Sequence, residues 1–113
     1  MTDDTAIFQV DETGERTVVA FRDWRSSLEV YYESGGDVFI SQAREQIDRL
    51  RSEHQCTTLA IDLTSVVFMP SWLVGLLVSQ QKSGLQIELL RPSNSIREML
   101  QTTKLNRLFQ VKD

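Results

Sequence analysis

Cysteine is all but missing from this chain: Cys56 stands alone, so no internal disulfide can form. His54 is likewise the single histidine, which leaves no recognisable ligand set for a metal. Long apolar runs are missing too. The most hydrophobic stretch, residues 73–78 with Gly75 inside it, is far shorter than the roughly 20 residues a membrane-spanning helix requires. Positive charge is scarce and scattered, with 12 Lys and Arg against 16 Asp and Glu and a net charge of −4. A nucleic-acid backbone, by contrast, is gripped by clustered cations that release its counterions. Gly35-Gly36 and Gly84 belong to neither a GxGxxG nor a GxxxxGK[ST] arrangement, so nucleotide binding has no local support. The expectation is no nucleic-acid partner, no membrane insertion, no metal and no cofactor. The start, Met1-Thr2-Asp3-Asp4-Thr5, is acidic, whereas an export signal begins positive and continues apolar. Together with the lone thiol, this points to a reducing, cytoplasmic setting.

What is present reads as one ordinary globular domain over residues 1–113. That length suffices for a single hydrophobic core and not for two, and 41% hydrophobic with 25% charged residues lacks the signature of disorder. Ile7-Phe8-Gln9-Val10 and Thr17-Val18-Val19-Ala20-Phe21 are β-prone runs around a polar stretch containing Gly14, which predicts a hairpin over about 6–22. The next stretch is mixed. Leu28-Glu29-Val30-Tyr31-Tyr32 fits a strand or a packed loop and Ser34-Gly35-Gly36 ends it, so an irregular segment is expected over about 23–36.

From 37 to 54 the apolar positions Val38, Ile40, Ala43, Ile47 and Leu50 recur at three- and four-residue spacing opposite Arg44, Glu45, Asp48, Arg49 and Arg51. This is an amphipathic helix with Asp37 as its expected cap. Thr57-Thr58-Leu59-Ala60-Ile61-Asp62-Leu63 suits a central strand. A helix over 72–82 comes after Ser71 and stops at Ser83-Gly84. Leu85-Gln86-Ile87-Glu88-Leu89 alternates as a strand with one wet face. After Arg91-Pro92-Ser93, Asn94 or Ser95 is expected to cap a last helix carrying Ile96, Met99 and Leu100, with Leu105, Leu108 and Phe109 extending its apolar surface. The order β-β-α-β-α-β-α defines an α/β fold, a single sheet of four to five strands packed with about three helices.

Asp62-Leu63-Thr64-Ser65-Val66-Val67-Phe68-Met69-Pro70-Ser71-Trp72-Leu73-Val74-Gly75 is similar to the central segment of STAS domains, the family of anti-sigma-factor antagonists. That segment usually runs aspartate, leucine, serine, any, valine, any, aromatic, apolar, aspartate, serine, serine, glycine, leucine, glycine. The ending Thr103-Lys104-Leu105-Asn106-Arg107-Leu108-Phe109 resembles the family's close as well. The likeness covers residues 37–111 in pattern and the N-terminal third only in strand order. It implies a STAS-like fold and a bacterial-type, non-enzymatic signalling protein that regulates transcription by binding a kinase-type anti-sigma factor. In the family that kinase phosphorylates the first serine of the pair, and only the unmodified form binds it. Ser71 occupies that position. The resemblance also admits a homodimer. Pro70, Trp72 and Leu73 depart from the pattern, and the helix between Gly75 and Gly84 is about one turn shorter than usual. Pro70 and Trp72 favour an alternative: a constitutive STAS subunit of a stress-signalling assembly or a lipid-transporter ATPase, without a phospho-switch.

Each candidate residue has a plainer explanation. Serine is a preferred N-cap whatever the function, worth about 0.5–2 kcal/mol over alanine, and that is the structural expectation for Ser71. Trp72 near a helix tip fits an interface anchor as well as core packing. Pro70, Ser71, Trp72, Val74, Asp62, Thr64 and Ser65 are the candidate partner-binding residues. Asp62 beside Thr64 and Ser65 suits a capped turn. As a catalytic carboxylate it would need a second acid that the sequence does not supply, so a small enzyme with a site at the strand ends near Asp62 ranks last. His54 reads as a surface residue and Cys56 as a small core hydrophobe.

Overall fold

The computed structural model describes residues 7–34 and 36–112. The acidic start, the beginning of the expected hairpin at Ala6, Gly35 and Asp113 lie outside the described residues. Strands β1 (Phe8–Glu12) and β2 (Arg16–Phe21) form the expected antiparallel hairpin, turned through Gly14 at φ 135°. An irregularity between Val10 and Glu12 interrupts its ladder. Strands β3 (Thr58–Asp62), β4 (Gln86–Leu90) and β5 (Gln110–Lys112) are added in parallel, giving the sheet order β1-β2-β3-β4-β5.

Each parallel strand is added one place further along the same direction, and crossovers between parallel strands are right-handed. The connecting helices therefore share one face of the sheet. Onto that face point Val19, Phe21, Leu59, Ile61, Ile87 and Leu89, all buried, to meet Phe39, Ala43 and Ile47 of α2 (Asp37–His54). Leu73, Leu76 and Leu77 of α3 (Ser71–Lys82) and Ile96 and Leu100 of α4 (Asn94–Thr102) complete the same core. The alternate residues of the strands face the other way. There Glu88 is only 6% exposed, with its carboxylate held by Arg16 Nη2 at 3.0 Å and Lys112 Nζ at 3.4 Å, in place of the wet position that the alternation predicts.

The fold is the expected α/β arrangement, with a helix, a 3-10 turn and a strand beyond the predicted order. The segment expected to be irregular over 23–36 is largely a helix, α1 (Trp24–Ser34). Asp23 starts it, accepting from Ser26 N at 3.1 Å and from Ser26 Oγ at 3.0 Å. Trp24, Leu28 and Tyr31, spaced four and three apart, pack inward. Neighbouring β-prone side chains mask that periodicity in the sequence. Gly36 at φ 88° turns α1 into α2, where a Cβ would stand 3.0 Å from the Tyr31 ring. Gly36, not Asp37, is the N-cap of α2, and Phe39, not Val38, is the core residue of its first turn.

The last helix is shorter than its apolar residues imply. Ser93, rather than Asn94 or Ser95, caps α4 by accepting from Ile96 N at 3.2 Å. The helix ends where Thr103 Oγ1 bonds back to Met99 O and Lys104 turns left-handed at φ 62°. A 3-10 turn (Leu105–Arg107) and β5 close the chain. Phe109 is buried there while Leu108 is exposed, so Leu108 does not extend the apolar surface.

Candidate functional site: the corner between β3 and α3

Asp62 ends β3 and fixes the turn that leaves it. Its Oδ1 accepts from Thr64 N at 2.9 Å and from Thr64 Oγ1 at 2.6 Å, the capped turn that its sequence context implies. Its Oδ2 pairs with Arg91 at the end of β4, and Arg91 Nε also donates to Thr64 Oγ1 at 3.1 Å. Burial pushes the Asp62 pKa up. The hydrogen bonds from Arg91 and Thr64 outweigh burial and hold it below the ordinary aspartate value. Such a carboxylate is a tie between strand ends and a poor general base.

The chain then runs over the top of the sheet, alternately anchored and displayed. Val66 and Met69 are buried, while Ser65, Val67 and Phe68 between and beside them are exposed. Pro70 is the N-cap of α3, half-buried, and its carbonyl accepts from Leu73 N at 3.0 Å. Ser71 is the first helical residue rather than the expected cap, and it is exposed. Val74, one turn further, is half-buried against the core.

Trp72 is not displayed. Only 7% of it is exposed, and its ring lies between Trp24 (centroids 6.1 Å apart, planes at 28°) and Tyr31 (5.2 Å, 22°), with Phe39 edge-on at 4.9 Å. The tryptophan that replaces the second serine of the pattern is thus the knob on which α1 seats, which corrects its assignment as a docking anchor. The indole N–H groups of Trp24 and Trp72 are buried, with no hydrogen-bond acceptor among the described residues.

Sequence reasoning missed Val67 and Phe68, at 70% and 46% exposure. Their apolar character is visible in the sequence, but which members of the run point outward depends on the β3–α3 loop geometry. A cleft of about 440 Å³ opens beside them, lined by Phe21, Arg22, Asp23, Trp24, Arg25, Ser65 and Val67. Away from the corner, His54 lies in the last turn of α2 and is half-buried, and Cys56 is buried with its Sγ 3.1 Å from Thr58 O. Among the described residues no group of His, Cys, Asp and Glu could hold a metal, and no helix is long and apolar enough to cross a membrane.

A mixed five-stranded sheet with its helices arrayed in this order is the STAS-like fold of anti-sigma factor antagonists. The anti-sigma factor antagonist SpoIIAA in its unphosphorylated form superposes with a TM-score of 0.63 at 21% identity, over 92% of this chain and 86% of that one. A protein from Thermotoga maritima assigned as an anti-sigma factor antagonist gives 0.61 at 18% identity, over 96% and 88%. No protein-family model matches the chain, and no curated protein matches it in sequence.

Proposed function

We propose that the protein is a regulatory protein-binding module, similar in action to anti-sigma-factor antagonists, that docks a kinase-type anti-sigma partner through the β3–α3 corner and is switched by phosphorylation of Ser71. One observation carries this reading: Ser71 stands exposed in the first turn of α3, on a fold shared with SpoIIAA, while the residues on either side of it are anchored. A phosphate there brings about −1.5 to −2 charges to the positive end of a helix, where an anion is tolerated. The fold survives and the docking surface gains negative charge. Asp62, Thr64 and Pro70 set the backbone of this surface, and Ser65 and Val74 lie on or beside it. Asp62, tied to Arg91, favours binding over catalysis as the task of the corner.

The test is affinity capture from the source cell with unmodified, Ser71→Ala and Ser71→Glu proteins, followed by binding assays with the retained partner after purification. The first two are expected to retain a common partner that the third loses, with all three melting within about 2 °C of one another, as exposed substitutions do. A partner kept equally by all three would support the constitutive subunit and remove the switch. Loss of both binding and thermal stability in Ser71→Glu would also contradict it.

A further inference from the structure

Helix α1 depends on its seat. Its 11 residues fall short of the ~12–15 that an isolated helix needs in water, and Ser26, Ser27, Tyr31 and Tyr32 are weak helix formers. Its charges also oppose its dipole. The first turn holds Arg25 and no acid, and the last holds Glu33 and no base. By contrast, α2 begins with Asp37 and ends with Arg51 and His54.

The seat itself is imperfect. Trp24 is buried, but Leu28 and Tyr31 are only half-buried, whereas Ile96 and Leu100, which hold the comparably short α4, are both buried. Ser27, a polar side chain, takes another buried position on α1. Trp24 and Trp72 stack across the contact between α1 and α3 with both indole N–H groups buried and, among the described residues, without acceptors. A buried donor left unpaired carries a desolvation cost that access to water would relieve.

The neighbouring elements are tied independently of α1. Before it, Arg22 N donates to Ile7 O at 2.9 Å, so the hairpin holds up to the residue preceding Asp23. After it, Gly36 turns the chain at φ 88° and its carbonyl accepts from Ile40 N at 2.9 Å, which starts α2.

We infer that α1 is a strap that opens as a unit in the folded protein, uncovering Trp72 next to Ser71 while the sheet, α2 and α3 stay formed. The aromatic layer beside that serine thus has a closed form and an open one. Local openings of this kind take less free energy than global unfolding. Neither a partner nor a phosphate is needed for this one, so it stands or falls separately from the proposed switch.

Hydrogen exchange followed by NMR on the unmodified chain tests it. The amides of residues 28–33 and the indole N–H groups of Trp24 and Trp72 are expected to share one opening, with protection about 100-fold or more below that of the central amides of β3 and β4. Asp23→Ala removes the side chain that starts α1 and should lower the protection of these amides and indoles alike by about fivefold. Glu33→Lys sets a cation at the end of the helix and should raise both by about threefold. Both positions are exposed. The gap to β3 and β4 persists in each variant, because local and global openings start from the same seated state. Protection in α1 equal to that of β3 and β4 would overturn the proposal, since α1 would then open only with the whole chain. Amides that shift while the Trp72 indole does not would also overturn it, as the mark of a helix that frays without leaving its seat.

Discussion

At the scale of single residues, Trp72 shows how one side chain can change its meaning once packed. At the start of an apolar helix it reads equally as an anchor for a partner and as core, and the difference is set by α1, whose existence the sequence conceals. Stacked between Trp24 and Tyr31, it is a core residue. Trp72→Ala is therefore expected to cost about 3–5 kcal/mol in urea unfolding, the range for emptying a buried aromatic site. An anchor facing solvent would instead lose affinity at unchanged stability. Asp62 was more legible. A carboxylate followed two positions later by threonine describes a local turn in any context, and the structure adds only the long-range tie to Arg91 that sequence spacing cannot show.

At the scale of elements, strands and helices with clean periodicity were readable, and their ends were not. The hairpin, the three parallel-sheet helices and the strands β3 and β4 follow from period and composition. Caps slipped by a residue or two because Ser93, Asn94 and Ser95 are chemically equivalent candidates, and only the chain direction entering the helix selects one. β5 was hidden in a run that shares its apolar residues with the preceding helix. Helix ends also offer a direct test. Gln55 closes α2 in the left-handed region at φ 50°, a conformation that costs a residue with a Cβ about 1–2 kcal/mol. Gln55→Gly is expected to raise stability by about 1 kcal/mol, less the greater freedom that glycine gives the unfolded chain. Thermal unfolding checks it, and a lower melting temperature would contradict the assignment of that helix end.

At the scale of the whole molecule, the sheet joins distant segments through charge on the side away from the helices. Glu88 lies below its ordinary pKa, first through its hydrogen bonds to Arg16, then against burial, and further through the charges of Arg16 and Lys112. A folded-state value below the unfolded one means that the stabilisation is complete above the unfolded pKa, about 4.3 for glutamate. It drains away as pH falls through the folded value. Asp62 adds in the same direction, its unfolded pKa being about 3.9. Stability measured between neutral and about pH 3 should fall on the acid side, and Glu88→Gln should flatten that fall relative to its own neutral value. A variant with an unchanged acid limb would place the dependence elsewhere. The overall class was legible because alternating strand and helix signals admit few topologies. The cleft beside Val67 was not, because it joins the β2–α1 junction to a loop more than forty residues later in the chain.

The chain has two tryptophans, and they lie face to face across the contact between α1 and α3. Stacked indoles shape near-ultraviolet circular dichroism and emission together. The molecule thus carries its own optical gauge of how firmly α1 is seated, and unlabelled protein can be followed through docking or modification at the neighbouring serine.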